Sequence, residues 1–192
     1  MNKRKLAIFA SGAGTNAANL MHYFSGHPFI EIAFVLTNNH KAGVIQKAED
    51  LGYLIQIITN EQAADQDFLS EICEAYKIDY IILAGYLRLI PEQFSLQYAN
   101  RIINIHPSLL PKFGGKGMYG DHVHQAVLHS DEKQSGISIH FVDAAYDSGQ
   151  LIAQFSCVID AGETLESLKQ KISLLEQQHY PMVIETYIHH QK

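Results

Sequence analysis

The sequence predicts an α/β fold: one domain with a mixed, mostly parallel sheet and helices packed against it. Three observations carry that prediction. Short apolar runs alternate with helix-period stretches through the first half of the chain. Those runs are rich in Ile, Leu and Val and hardly alternate with polar residues, as expected of strands covered on both faces. The second half instead places two longer strand-like runs side by side, with only a short turn between them. Strand–helix repetition implies parallel strands with right-handed crossovers, and a tight turn between strands implies an antiparallel pair.

Each element has its own signal. Leu6–Ala10 reads as a first strand, and Thr15–Ser25 as a helix. Ile30–Leu36 is a strand, followed by a helix over Val44–Leu51. Leu54–Ile58 is a strand, followed by a helix over Asp65–Tyr76. Tyr80–Ala84 is a strand, and Pro91 opens a short helix, where its missing N–H does no harm. Arg101–Ile105 is the next strand. Gly136–Val142 and Gln150–Ile159 form the antiparallel pair around the turn Asp143–Gly149. A long helix over about Thr164 to His189 ends the chain, and Pro181 is expected to kink it. No internal repeat or low-complexity linker divides the sequence, so residues 1–192 read as a single domain.

Composition narrows the function. The 192 residues carry a formal net charge of −6 without clustering. The absence of a basic stripe argues against nucleic acid as a partner. Two cysteines, Cys73 and Cys157, have no CxxC spacing and read as reduced thiols. Leu6–Ala10 is too short for a signal-peptide core, and no apolar run approaches the roughly 20 residues that cross a bilayer. The expectation is a soluble, cytoplasmic protein that does not bind membranes.

Two motifs carry chemistry. Ser11-Gly12-Ala13-Gly14-Thr15-Asn16 follows the first strand and opens the first helix. Glycines allow a tight turn there, and the helix N-terminus offers unpaired N–H groups and a positive dipole end. The loop also fits Gly-x-Gly-x-x-Ala, with Ala17 last, so the N-terminal half is Rossmann-like. Yet the second strand ends in Leu36-Thr37-Asn38-Asn39, without an acidic residue to hold a ribose diol. A phosphate monoester, a dinucleotide and a tight turn without ligand all remain open on this motif alone. The second motif is Asn104-Ile105-His106-Pro107-Ser108-Leu109-Leu110-Pro111. On a strand, residues two apart share a face, so Asn104 and His106 project together. An amide donor beside an imidazole suits a reaction in which a carbonyl oxygen gains charge and a proton moves.

Taken in order, Ser11–Asn16, Ala84-Gly85-Tyr86-Leu87-Arg88, the 104–111 block and His140-Phe141-Val142 with Asp147 resemble the phosphoribosylglycinamide formyltransferase family of purine biosynthesis. The resemblance runs from about Lys5 to Tyr187. It implies a formyltransferase fold, with about 1–100 forming a ribonucleotide phosphate-binding half and about 101–192 a catalytic and folate-binding half. It implies glycinamide ribonucleotide and the co-substrate 10-formyltetrahydrofolate as small-molecule partners. Gly14, Thr15 and Asn16 would hold the substrate phosphate, and Glu176 the ribose hydroxyls. Leu87, Arg88, Leu89 and Ile90 would contact the folate, chiefly through main chain, together with Asn104. Asn104, His106 and Asp147 would be the catalytic trio, with the Asp147 carboxylate favouring a charged His106. Out of that context, Asp147 reads as a turn residue and Glu176 as a solvated helix carboxylate. The Leu110–Pro111 bond is expected to be cis.

Several features depart from the family pattern or stand outside it. Ser148-Gly149-Gln150 stands where the family more often has glycines and a proline. Gln62 stands where some relatives carry a basic residue facing the folate's glutamate tail, which implies weaker tail binding. The glycine-rich Lys112–Gly120 segment reads as a mobile flap. His122 and His124, two apart at a helix start, would not share a face, and no metal is expected. A formyltetrahydrofolate hydrolase and a non-catalytic nucleotide-binding module are the rival functions. A tRNA-directed formyltransferase would need a basic surface. A monomer and a homodimer are equally consistent with the sequence.

Overall fold

The computed structural model describes residues 3–191. Its strands are β1 (Arg4–Phe9), β2 (Ile30–Thr37), β3 (Ile55–Ile57), β4 (Tyr80–Leu83), β5 (Ile102–His106), β6 (Gln134–Phe141) and β7 (Leu151–Val158). They form one sheet in the order β3-β2-β1-β4-β5-β6-β7. The strands from β3 to β5 are parallel, whereas β6 and β7 each run antiparallel to their neighbours. The fold is therefore the mixed, mostly parallel α/β sheet that the apolar runs predict, with boundaries moved by one or two residues.

Period-two alternation sorts the central strands between two cores. Leu6 and Ile8 of β1 pack with Leu20 and Met21 of α1 (Thr15–Phe24) and Ile172 and Ile184 of α7 (Leu165–His190). Ala7 and Phe9 pack on the opposite face with Leu69 and Cys73 of α4 (Gln66–Ala75) and Phe94 of α5 (Glu92–Gln97). Both faces are covered, so the central strands need apolar residues at every position. The edge strand β7 alternates exposed and half-buried side chains instead.

The helices begin where local chemistry satisfies their free N–H groups. Thr164 caps α7, its hydroxyl accepting from the Ser167 N–H at 3.1 Å. Asp65 caps α4 by accepting from Asp67 N and Phe68 N. Pro91 stands at the N-cap of α5, one residue outside the helix it was expected to open. The helix α7 continues through Pro181. Beside that proline, the Tyr180 hydroxyl lies 2.8 Å from Leu83 O and 3.0 Å from Ile103 O, bridging β4 and β5.

Besides α2 (Val44–Asp50), two short helices complete the fold: α3 (Asn60–Ala64), which the hydrophobic period does not reveal, and α6 (Asp121–Leu128), of which it reveals only the start. α3 is set by a capping box in which Thr59 accepts from Gln62 N and Gln62 Oε1 accepts from Thr59 N. Gln62, the residue at the expected folate-tail position, is thus engaged in holding its own helix. No helix among the described residues is long and apolar enough to cross a membrane.

Candidate active site

The ends of β1, β4 and β5 meet at the carboxyl edge of the parallel sheet. Strand order reverses between β1 and β4, and open α/β sheets bind ligands in the crevice at such a point. The loops after these strands are tied together. Ser11 N donates to Gly85 O at 3.0 Å, and Leu87 N donates to Ser11 Oγ at 3.0 Å.

Asn104 and His106 lie on the face that Ile102 shares with the α4–α5 core. Asn104 is paired across the antiparallel ladder with His140, and His106 with Ser138. Directly opposite residues share a sheet face, so these four side chains form one cluster. His140 Nδ1 lies 2.7 Å from Phe141 O. A carbonyl only accepts, so Nδ1 carries the proton, and in the neutral ring Nε2 is an acceptor. That lone pair lies 3.1 Å from Asn104 Nδ2, which donates to it. Burial pushes the His140 pKa down against opposing contributions from Phe141 O and Asp147, which favours the neutral ring this pairing needs. Asp147 Oδ1, 3.7 Å from the same Nε2, makes no hydrogen bond there, because both atoms are acceptors. His140 therefore fixes the Asn104 amide and leaves its second Nδ2 proton without a partner among the described residues.

His106 is only 4% exposed. Its Nε2–H donates to Phe113 O at 2.8 Å, and its Nδ1 lies 3.4 Å from Asp147 Oδ2. A proton on Nδ1 turns that contact into an ion pair; without it, two acceptors face each other. Asp147 Oδ2 also accepts from Gly115 N at 2.9 Å. Asp147 itself has φ 55°, in the left-handed region, where Asp is tolerated better than most residues. Gly149 closes the same turn. A Cβ there would stand 1.8 Å from Phe141 O, so only glycine fits.

Ser138 shapes the loop beyond β5. Its hydroxyl accepts from Leu110 N at 2.9 Å and donates to Ser108 O at 2.6 Å. The Leu110–Pro111 peptide is cis, as expected.

Two clefts meet at Asn104. One, of about 360 Å³, is lined by Leu87, Arg88, Leu89 and Ile90 on one side and by Gly115–Tyr119 and Asp147 on the other. The second, of about 350 Å³, is lined by Thr15, Asn16, His124 and Glu176. Tyr86, Leu87, Asn104, Met118 and Tyr119 border both. Each cleft draws residues from both halves of the chain. Asn16 Nδ2 donates to Glu176 Oε2 at 3.0 Å, and burial raises the Glu176 pKa against that bond.

The structure brings most of the expected residues to these clefts. Asn104 and Asp147 line the first, as do all four of Leu87–Ile90, and Thr15, Asn16 and Glu176 line the second. His106 lines neither and is reached through Asp147. The reason is Phe113, whose carbonyl occupies Nε2. Gly14 has φ 75°, and a Cβ on it would lie 2.6 Å from Val44 Cβ. Its missing side chain therefore answers to the tight turn and to α2 packing. His140 stands in a sequence motif that gives it no role. Its role depends on cross-strand pairing with Asn104, which spacing along the chain does not reveal. Among the described residues, no group of three or more His, Cys, Asp or Glu side chains is arranged to hold a metal.

Comparison with known proteins places this geometry. Residues 4–184 match the family model described as "Formyl transferase". The phosphoribosylglycinamide formyltransferase of Bacillus subtilis is 34% identical over 188 residues, covering 95% of this chain and 93% of that protein. The chloroplastic phosphoribosylglycinamide formyltransferase of Arabidopsis thaliana is 36% identical over 188 residues, covering 95% of this chain. The chain spans 64% of that plant relative's length, a little under two thirds. Among solved structures, glycinamide ribonucleotide transformylase 1 from Geobacillus kaustophilus superposes with a TM-score of 0.86 at 31% identity, covering 97% of this chain and 99% of that one.

Proposed function

The chain belongs to the formyl transferase family, and from that premise we propose that it moves the formyl group of 10-formyltetrahydrofolate onto the amine of glycinamide ribonucleotide. The observation that carries this reading is the meeting of two clefts at Asn104. One suits a flat, partly apolar folate along Leu87–Ile90. The other suits a ribonucleotide whose phosphate faces the α1 N-terminus at Thr15 and Asn16 and whose ribose hydroxyls face Glu176. On this reading residues from both halves of the chain form one catalytic unit.

The chemistry follows from those positions. The amine lone pair attacks the formyl carbon, and the carbonyl electrons move onto its oxygen. The free Asn104 N–H, oriented by His140, donates to that oxyanion. Collapse of the intermediate breaks the bond to the folate nitrogen. The proton lost by the amine balances the one gained by that nitrogen. The His106–Asp147 pair is the group at hand to hold this proton between the two events. For His106 to address the formyl oxygen directly, the Phe113 carbonyl has to leave Nε2. A reducing, cytoplasmic compartment fits the two free cysteines.

Folate absorbance with and without glycinamide ribonucleotide tests the reading. Turnover only with that amine is the expected result. Turnover without it points to the hydrolase, and folate binding without turnover points to a binding module.

A further inference from the structure

The cleft at the α1 N-terminus holds a cation and a buried nitrogen that the reaction above does not use. Lys169, Ile172, Ser173 and Glu176 recur at helical spacing on α7, and all four line this cleft together with Thr15 and Asn16. Among the described residues lining it, Lys169 is the only lysine or arginine, and Glu176 is the only carboxylate. A phosphate dianion entering such a cleft loses water and needs compensating charge. The end of α1 supplies only about half a positive charge, and the Asn16 amide is already engaged by Glu176. The remaining charge has to come from Lys169.

Two further observations point to a ligand there. His124 is 7% exposed, lines the same cleft, and its Nδ1 has no hydrogen-bond partner among the described residues. Buried polar atoms are nearly always paired, so an orphan on a residue that lines a cleft marks the place of a missing partner. Lys169 Nζ meanwhile lies 2.8 Å from Asp121 Oδ1 in a pair whose side chains are 38% and 51% exposed. Exposed pairs of this kind hold weakly and exchange readily for a better anion.

We propose that Lys169 is the specificity-determining cation for the substrate's phosphate, exchanging Asp121 for it on binding, and that His124 supplies an N–H to the same ligand. The inference rests on reading this cleft as the ribonucleotide site. It adds two residues, Lys169 and His124, to the loop Gly14–Asn16.

Ribose 5-phosphate binding to the full chain, measured by calorimetry, tests it without requiring turnover. Lys169→Met should weaken binding about tenfold or more, the scale of one charge-assisted contact to phosphate. Lys169→Arg should retain most of the affinity, and His124→Phe should cost several-fold. Asp121→Asn removes the competitor, so it should bind as tightly as the parent chain or tighter. Unchanged affinity in Lys169→Met overturns the proposal. So does an Asp121→Asn loss equal to that of Lys169→Met, because Lys169 would then act only as a tether between α6 and α7. Failure of the parent chain to bind ribose 5-phosphate at millimolar concentration overturns it as well. The functional reading fails separately. If the parent chain does not formylate glycinamide ribonucleotide but binds ribose 5-phosphate through Lys169, the site stands and the reaction falls. If it formylates that substrate and Lys169→Met leaves its KM unchanged, the reaction stands and this inference falls.

Discussion

The two clefts that share Asn104 differ in that only one of them has a helix wall. The cleft along Leu87–Ile90 is walled mostly by loops. Gly115, Gly117 and Asp147 all take positive φ there, and Leu87, Leu89, Tyr119 and Tyr146 stand half-exposed along it. The other cleft combines residues of α1, α6 and α7 with loop residues around Gly85–Leu87 and Met118–Gly120, and its helix side has Ile172 buried and Glu176 bonded to Asn16. A loop wall offers main-chain atoms and adaptable apolar surface, so few of its side chains are individually decisive. A helix wall recognises through fixed side chains, each with a partner or a charge. Residues at the junction should therefore control rate, residues on the helix wall should control substrate affinity, and residues on the loop wall should do least.

The largest effect is expected at the junction. Asp147→Asn keeps the volume but removes the charge facing His106 Nδ1, 3.4 Å away. Turnover should fall about 10³–10⁴-fold, the scale seen when a histidine loses its orienting carboxylate. Single-turnover kinetics with both substrates saturating measure it, and an unchanged rate would reduce Asp147 to a turn residue. Asn104→Ala should cost about 10²–10³ in kcat with little change in either KM, as for loss of one oxyanion donor. His140→Ala leaves Asn104 in place but unoriented, so it should lose about 10²-fold in kcat. If the Asn104→Ala, His140→Ala double variant lost the product of both single effects, the two residues would be acting independently and not as one unit.

An intermediate effect belongs to the helix wall. Glu176→Gln should raise the ribonucleotide KM about tenfold while leaving the folate KM unchanged, because a charged acceptor is lost. It should also change the pH dependence of stability. Burial raises the folded pKa of Glu176 above the ordinary value of 4.5. Between those two pKa values the native state holds more protons than the unfolded one, so stability falls as pH rises through that window. Glu176→Gln lacks the titration. Melting curves taken from pH 4 upward should show the parent chain losing stability relative to the variant and then levelling off. Parallel curves would mean that the carboxylate is solvated.

The smallest effect is expected on the loop wall. Leu89→Ala removes a side chain that is 45% exposed, and the folate KM should move less than about threefold. A tenfold change would mean that this wall recognises through side chains after all, and the contrast between the clefts would fail.

Much of this was legible in the residues themselves. Continuous apolar runs place β1, β2, β4 and β5 inside a sheet covered on both faces, because only buried strands need apolar residues at every position. Period two puts Asn104 and His106 on one face whatever surrounds them. The short helix α3 escaped because its signal is a capping box and not an apolar stripe. What needed the tertiary structure is everything that depends on which strands are neighbours. The antiparallel β5–β6 register sets His140 opposite Asn104 and thereby decides which proton the amide can offer. The fold of the 112–117 segment decides that His106 faces Phe113 O and Asp147 instead of open cleft. The docking of α7 on α1 turns Glu176 from a helix carboxylate into a buried partner of Asn16, 160 positions away in the chain. Periodicity and propensity act between residues a few positions apart, so the sequence alone determines strands, helices and shared faces. Protonation states and hydrogen-bond partners are set by burial and by atoms from distant segments, and those exist only once the chain has folded.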